Sequence, residues 1–442
     1  MGHATRFLGR TTVLADRGDL SDMHFRRTFG VALVFMGVNI ATGQETNAPK
    51  PSTDYAARAK EIHKTAILFD GHNDLPWQLR EHGQFGLDKI DLSKEQQLPY
   101  QTDIARMKKG GLNAQFWSVY IPGRHENPLR TVLEQIDLVN RMTDAFPNDL
   151  EQAFTAADVR RIAKSGKTAG MLGVEGGVAI ENDLAMLRVF HKLGVRYMTL
   201  THNQTLDWAD AATDTKKHGG LTKFGERVVR EMNRAGILVD ISHVSTETMS
   251  DVLDISQAPV IASHSSAFAL CPHPRNVNDD ILRRIRTNGG VVMINFFSSF
   301  IVPGASAKIG AKQKEIAAKT KDKAEAEKQL EAWIAENPDL YGTVNTVVDH
   351  IEHVIRVAGI DHVGIGSDFD GITRWPKGLD SVADFPKITE ELLRRGHSEE
   401  AIRKILGENA LRVVERSEAV AKRLQSETKP DFDPAAKMKH ED

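Results

Sequence analysis

The sequence predicts an α/β fold, a (β/α)8 barrel with a binuclear metal site at the C-terminal mouth of its strands. Three observations predict it. Short apolar runs alternate with amphipathic helical stretches eight times along the chain, the pattern of repeated βα units and a parallel sheet. Six of those eight runs end in His, Asp or Glu, and a closed parallel barrel gathers the C-terminal ends of its strands at one mouth. With 442 residues and 40% hydrophobic content, the chain is long enough for one such domain with insertions.

Taken in order, residues 26–43 run from Arg26-Arg27 through an apolar stretch to Ala41-Thr42-Gly43, the order of a secretory signal. The stretch is shorter than the ~20 residues a membrane-spanning helix needs. Cleavage near Gln44 is therefore expected, giving an exported protein, periplasmic or secreted, without a membrane anchor. Asp16, Asp19 and Asp22 are unusual ahead of such a signal and favour Met23 as the start. Residues 44–54, with Pro49 and Pro51, read as a flexible leader, and the domain, residues 55–424, opens on a helix over 55–64. Strands are expected at 67–72, 114–120, 169–175, 197–202, 237–242, 260–264, 290–295 and 362–368. Helices between them are expected at 184–193, 222–235, 246–254 and 346–358, lengths that suit crossovers. An Ala-, Lys- and Glu-rich helical insertion occupies about 301–345 and reads as a solvated excursion. Helices over 388–395 and 399–415, the second capped by Ser398, pack outside the barrel, and the polar tail 425–442 is expected to be loosely held.

The chemistry-bearing residues stand at the strand ends: His72 and Asp74, Glu175, His202, His243, His264 and Asp368. Any one of them has a dull explanation as a capping or packed polar group. As a set they would crowd imidazoles and carboxylates at a desolvated spot, which is unfavourable unless a cation offsets it. Imidazole with carboxylate is a ligand set that zinc accepts, and a carboxylate can bridge two ions. This pattern points to a two-metal hydrolase.

The motifs Phe69-Asp70-Gly71-His72-Asn73-Asp74, Gly173-Val174-Glu175-Gly176, Thr199-Leu200-Thr201-His202-Asn203, Val239-Asp240-Ile241-Ser242-His243, Ser263-His264-Ser265-Ser266, Arg275-Asn276-Val277 and Gly366-Ser367-Asp368-Phe369-Asp370-Gly371 carry a specific resemblance. The chain resembles the renal, or membrane, dipeptidases, zinc peptidases of the amidohydrolase superfamily, over roughly residues 55–415. The resemblance implies a zinc-dependent dipeptidase with two zinc ions per chain, acting on dipeptides that include those with a C-terminal D-residue. It implies that His72 and Asp74 hold one ion, His243 and His264 the other, and Glu175 bridges them around a shared hydroxide. It further implies Asp368 as the acid/base, His202 as the donor to the oxyanion, and Arg275 as the grip on the substrate's C-terminal carboxylate. Asp370 reads instead as a turn residue. Cys271 is the lone cysteine, so the intrachain disulfides and lipid anchors of the mammalian members have no counterpart here. Pro272 and Pro274 bracket His273 just before Arg275, a local departure from the pattern.

Two other functions compete. Another amidohydrolase-superfamily reaction, such as lactam opening, commonly goes with a His-x-His pair and a modified lysine bridge, whereas this chain has His72-Asn73-Asp74 and Glu175. A non-catalytic exported barrel that binds zinc or peptide would be marked by a missing ligand or acid/base, and none is missing. A net charge of −3 without a basic stripe gives no footprint for nucleic acid. A homodimer and a monomer are equally compatible with the sequence. Ser165-Gly166-Lys167-Thr168 fails as a phosphate loop because Arg161 occupies the required first glycine. His350-Ile351-Glu352-His353 has no metallopeptidase spacing and reads as a helix surface, and Cys271 as a small packed side chain.

Overall fold

The computed structural model describes residues 54–432 apart from 84, 85, 88 and 124. The signal segment 1–43, nearly all of the leader and the last ten residues of the tail lie outside the described residues. Nine strands form one parallel sheet: β1 (Leu68–Asn73), β2 (Leu112–Tyr120), β3 (Leu150–Gln152), β4 (Thr168–Glu175), β5 (Val195–Thr199), β6 (Leu238–Asp240), β7 (Ile261–Ala262), β8 (Val291–Ile294) and β9 (Val363–Ile365). The order β2-β1-β9-β8-β7-β6-β5-β4 closes through β2–β4 pairing, giving an eight-stranded (β/α)8, or TIM, barrel. β3 is the strand that sequence reasoning missed. It pairs only with Thr168, Ala169 and Gly170 at the start of β4, below the point where β5 joins at Leu172.

Alternation along the strands divides the core into two layers. Phe69, Phe116, Met171, Tyr197, Leu238, Ile261, Val291 and Met293 pack together in one cluster. Their neighbours Leu68, Trp117, Leu172, Met198, Val239, Val292 and Val363 pack in the larger cluster with the surrounding helices. Within the first cluster Phe116 contacts both Phe69 and Tyr197, with ring centroids 4.9 and 4.8 Å apart. The Tyr197 ring fills the space where a Cβ on Gly173 would stand, so a glycine is needed there.

The crossover helices begin where side chains satisfy their first free N–H groups. Asp183 accepts from Ala185 N, Thr222 from Gly225 N, Ser245 from Thr248 N, and Ser398, as expected, from Ala401 N. The insertion forms two helices, Ala305–Lys319 and Lys323–Ala335, joined by a small core of their own that includes Ile309, Ile316, Leu330 and Ile334.

Two expectations are corrected. The segment 350–353 is no helix surface: His350 and His353 are buried in helix Val344–Ala358. His350 Nδ1 accepts from Ala267 N while its Nε2 donates to Ile301 O, so the ring staples two loops. The start of the tail is also held. The last helix, Asn409–Glu427, runs past residue 425, and Arg227 forms a two-pronged ion pair with Asp431. Among the described residues no helix is long and apolar enough to cross a membrane.

Candidate metal centre

The strand ladders stop short of the site. β5 ends three residues before His202, β6 three before His243, β7 two before His264 and β9 three before Asp368, while His72 and Glu175 lie on β1 and β4 themselves. Beyond the last paired residue the chain turns inward, and for His243, Asp368 and Asp370 it adopts left-handed backbone angles, with φ of 66°, 65° and 65°. Non-glycine residues in that region cost of order 1 kcal/mol each and persist where surrounding contacts fix them.

These turns bring seven predicted residues together. His72, Glu175 and His264 form one group with ligand atoms within 4.8 Å of one another; Glu175, His202 and His243 form a second; and His72, Asp74 and Asp368 a third. Glu175 lies at the centre, with Oε1 2.9 Å from His243 Nε2 and 3.4 Å from His264 Nε2, and Oε2 3.4 Å from His72 Nε2. His72 Nε2 is 3.2 Å from Asp74 Oδ2 and 3.9 Å from Asp368 Oδ1. His202 Nε2 stands 4.0 Å from Glu175 Oε1.

Whether this arrangement suits divalent cations can be tested on its own atoms. Among the described residues His72 Nε2 and Asp74 Oδ1 are buried without a hydrogen-bond partner, an unfavourable state that a cation would relieve. The Nε2 atoms of His243 and His264 face each other at 2.9 Å, while their Nδ1 atoms face Asn203 Oδ1 at 3.2 Å and Ser263 Oγ at 2.8 Å. With both outer nitrogens protonated toward oxygen, two lone pairs converge on one point. A Cβ on Gly371 would collide with Asp74 Oδ2 and Asp368 Oδ1, so glycine keeps open the space those two carboxylates border. The N and O donor set fits a borderline-soft ion such as zinc. All four tests agree.

The electrostatics have the same sense. Burial, with Asp74 and Glu175 close by, raises the Asp368 carboxyl to about 8, and a cation bound beside it would hold it ionised. Burial also keeps His243 and His264 well below the usual histidine range, hence neutral and able to donate a lone pair. Burial raises the Glu175 carboxyl, but His72 and the two other imidazoles outweigh it and hold the group well below the usual range.

Five of the seven, Asp74, Glu175, His202, His243 and Asp368, border a cleft of 430 Å³, within the range of small-ligand sites. Arg275, 1% exposed, lines it. Its guanidinium lies 5.2 Å from the Phe300 ring centre and makes only two long hydrogen bonds, 3.4 Å each, to Ser265 Oγ and His264 O. Its Nε has no hydrogen-bond partner among the described residues. Burial lowers the Arg275 pKa to about 10, which leaves it charged at neutral pH. The apolar wall comes from Trp77, Tyr120, Phe297 and Phe300, none of which sequence reasoning singled out, because an aromatic beside a strand reads as core. Asp370 is buried, its Oδ1 accepting from Gln101 N, and lines the cleft as well as shaping the turn. Cys271 is packed away, its Sγ directed at Ser299 O.

Comparison with known proteins agrees with this geometry. The membrane dipeptidase family, peptidase family M19, matches residues 56–428. The probable dipeptidase PvdM from Pseudomonas aeruginosa is 26% identical, with a TM-score of 0.70 over 84% of this chain and 99% of that one. A metallopeptidase of family M19, dipeptidase AC, is 28% identical, with a TM-score of 0.66 over 80% of this chain and 99% of that one. A metallopeptidase from Rhodobacter sphaeroides, solved with a phosphinate mimic of the dipeptide L-Ala-D-Ala, is 27% identical, with a TM-score of 0.64 over 80% and 99%. The chain therefore belongs to the membrane dipeptidase family, and it is a peptide-bond hydrolase of the metallopeptidase type.

Proposed function

We propose that this chain is an exported dizinc dipeptidase that cleaves the single peptide bond of dipeptides, including those with a C-terminal D-residue. The observation that carries the reading is that Asp74, Glu175, His202, His243 and Asp368 line one cleft with Arg275, whose Nε has no hydrogen-bond partner among the described residues. His72 and Asp74 would hold one ion, His243 and His264 the other, with Glu175 between them. Two zinc ions there would supply Lewis-acid polarisation of the scissile carbonyl and a water acidified enough to attack it at neutral pH.

The chain's own groups do the rest. Arg275 pairs with the substrate's C-terminal carboxylate, and its planar fork accepts both oxygens. A tripeptide has an amide at that place and forfeits the pairing. Asp368, its Oδ2 held by Asn295 Nδ2 at 2.8 Å, receives the proton of the attacking water and passes it to the departing amine. His202 donates toward the carbonyl oxygen as negative charge develops on it. The Rhodobacter sphaeroides relative solved with a mimic of L-Ala-D-Ala supports tolerance of a C-terminal D-residue. The charged, apolar and small-residue order over residues 26–43 supports export.

The test is to incubate chelator-treated and zinc-restored protein with L-L and L-D dipeptides and a tripeptide, measuring the amino acids released. Zinc-dependent release from dipeptides of both kinds, and none from the tripeptide, is expected. Properly metallated protein that cleaves no dipeptide overturns the reading, and release from L-L dipeptides alone removes the D-residue clause.

A further inference from the structure

One buried carboxylate outside the cluster is arranged so that it controls a ligand within it. Asp240, on β6, is fully buried and accepts four hydrogen bonds. Its Oδ1 takes Ser242 N at 3.0 Å and Ser263 N at 2.9 Å; its Oδ2 takes Thr199 Oγ at 2.5 Å and Ser263 Oγ at 2.6 Å. A carboxylate receiving four donors has none to give. The Ser263 hydroxyl carries one proton, and with that proton committed to Asp240 its oxygen can only accept from His264 Nδ1, 2.8 Å away. His264 is thereby fixed with its proton on Nδ1 and its lone pair on Nε2, toward Glu175 and His243. The three imidazoles differ in this respect. His72 Nδ1 meets the Tyr197 hydroxyl at 2.7 Å and His243 Nδ1 meets the Asn203 amide oxygen, and among the described residues neither partner is hydrogen-bonded to a carboxylate.

We infer that Asp240 and Ser263 are positioning residues that set the tautomer of His264 through the chain Asp240–Ser263–His264, and so determine how strongly that imidazole holds a metal ion. The inference rests on the reading of His264 Nε2 as a ligand. Outer-sphere partners of this kind are worth about 10- to 100-fold in metal affinity.

Asp240→Asn tests the chain with almost no change of volume. The two backbone N–H groups at Oδ1 cannot become acceptors, so the new amide oxygen must take that place and the amide NH2 must face Ser263 Oγ. The serine oxygen then accepts from the amide, its proton turns to His264 Nδ1, and the imidazole proton moves to Nε2. Zinc affinity measured by competition with a chromogenic chelator is expected to fall about 10- to 100-fold for one of two ions. In metal-free, 15N-histidine-labelled protein, the His264 nitrogen shifts, assigned by comparison with His264→Gln, are expected to change from the Nδ1–H to the Nε2–H pattern. Ser263→Ala, which removes only the hydroxyl, is expected to weaken the same ion and release the tautomer, and it serves where Asp240→Asn does not fold. A folded variant of either kind with parental zinc affinity and the parental His264 pattern overturns the inference. Parental protein that binds no zinc instead overturns the metal reading itself, and the tautomer measurement separates the two failures.

Discussion

Replacing Arg275 with methionine should damage substrate binding and strengthen the fold at once. The guanidinium is 1% exposed, its Nε has no hydrogen-bond partner among the described residues, and its two hydrogen bonds are at the long limit of 3.4 Å. Among the described residues no carboxylate lies within ion-pairing distance of it. The protein therefore carries a desolvated, poorly paired cation, for which the proposed function supplies a partner in the dipeptide's carboxylate. Truncating one member of a buried, hydrogen-bonded charge pair costs about 2–5 kcal/mol, equivalent to roughly 30- to several-thousand-fold in binding. Methionine keeps the stem's packing against Phe300 and removes the charge. Replacing buried charge by apolar side chains of similar volume stabilises by about 1–4 kcal/mol in favourable cases; because Arg275 keeps two weak hydrogen bonds, about 1 kcal/mol is the appropriate end of that range.

The assays are steady-state kinetics on a dipeptide and urea unfolding of the metal-free protein. KM should rise by at least about 30-fold with a smaller effect on kcat, and the urea midpoint should move upward. Arg275→Lys should fall between, since an ammonium keeps the charge and loses the fork. An unchanged KM refutes carboxylate recognition, and a lower urea midpoint refutes the description of Arg275 as an uncompensated buried charge.

Gly371→Ala should leave far-UV circular dichroism intact and reduce zinc affinity in a chelator competition, because its methyl group would enter the space between Asp74 and Asp368; parental affinity would show that this space is not used. Asp368→Asn should keep both ions and lose at least about 100-fold in kcat, the span of general acid–base catalysis, and near-parental turnover excludes the proton-transfer role. Acid should weaken the fold through histidines held neutral by burial: His63, bonded to Thr389 Oγ at 2.8 Å, and His350 are each lowered to about 4. The unfolded chain binds those protons first, so their contribution is complete above about pH 6.5, declines as pH falls toward 4, and amounts to up to about 3 kcal/mol for each. His63→Gln should accordingly show a smaller loss of urea midpoint between pH 7 and pH 5 than the parent, and equal losses would contradict the assignment.

Sequence alone carried the eight barrel strands because each has several apolar residues bounded by turn signals. β3 escaped because Leu150-Glu151-Gln152 has no such pattern, and its backbone pairing with the first residues of β4 leaves no trace in side-chain type. The seven clustered residues were legible by type and order, but not their exit from the ladder, since the left-handed turns at His243 and Asp368 use residues without the glycine that usually announces them. The supporting partners were less visible still. Tyr197 within β5, and Ser263 and Asn295 just past β7 and β8, are ordinary residues until the barrel closes. Asp70 and Asp240 did leave a signal, as carboxylates inside apolar runs. Each grips a serine just past the neighbouring strand by its backbone N–H and hydroxyl, Ser367 beyond β9 in the one case and Ser263 beyond β7 in the other. His350 misled for the opposite reason, since its burial stems from loops that reach over the helix, a tertiary fact that helical periodicity does not contain.

The two serine grips suggest how one barrel accommodates both a firm core and an unfavourable site. In each, the gripped serine immediately precedes a site residue: Ser367 precedes Asp368, and Ser263 precedes His264. The buried carboxylate thus anchors the chain where it has just left the ladder, one residue before the site residue. The mouth beyond these anchors carries left-handed backbone angles at His243 and Asp368. The strand layers below hold the apolar clusters. Substitutions that relieve the mouth should therefore stabilise the protein while reducing its chemistry, whereas loss of Asp70 or Asp240 should reduce both, because those residues connect the layer that folds to the residues that react.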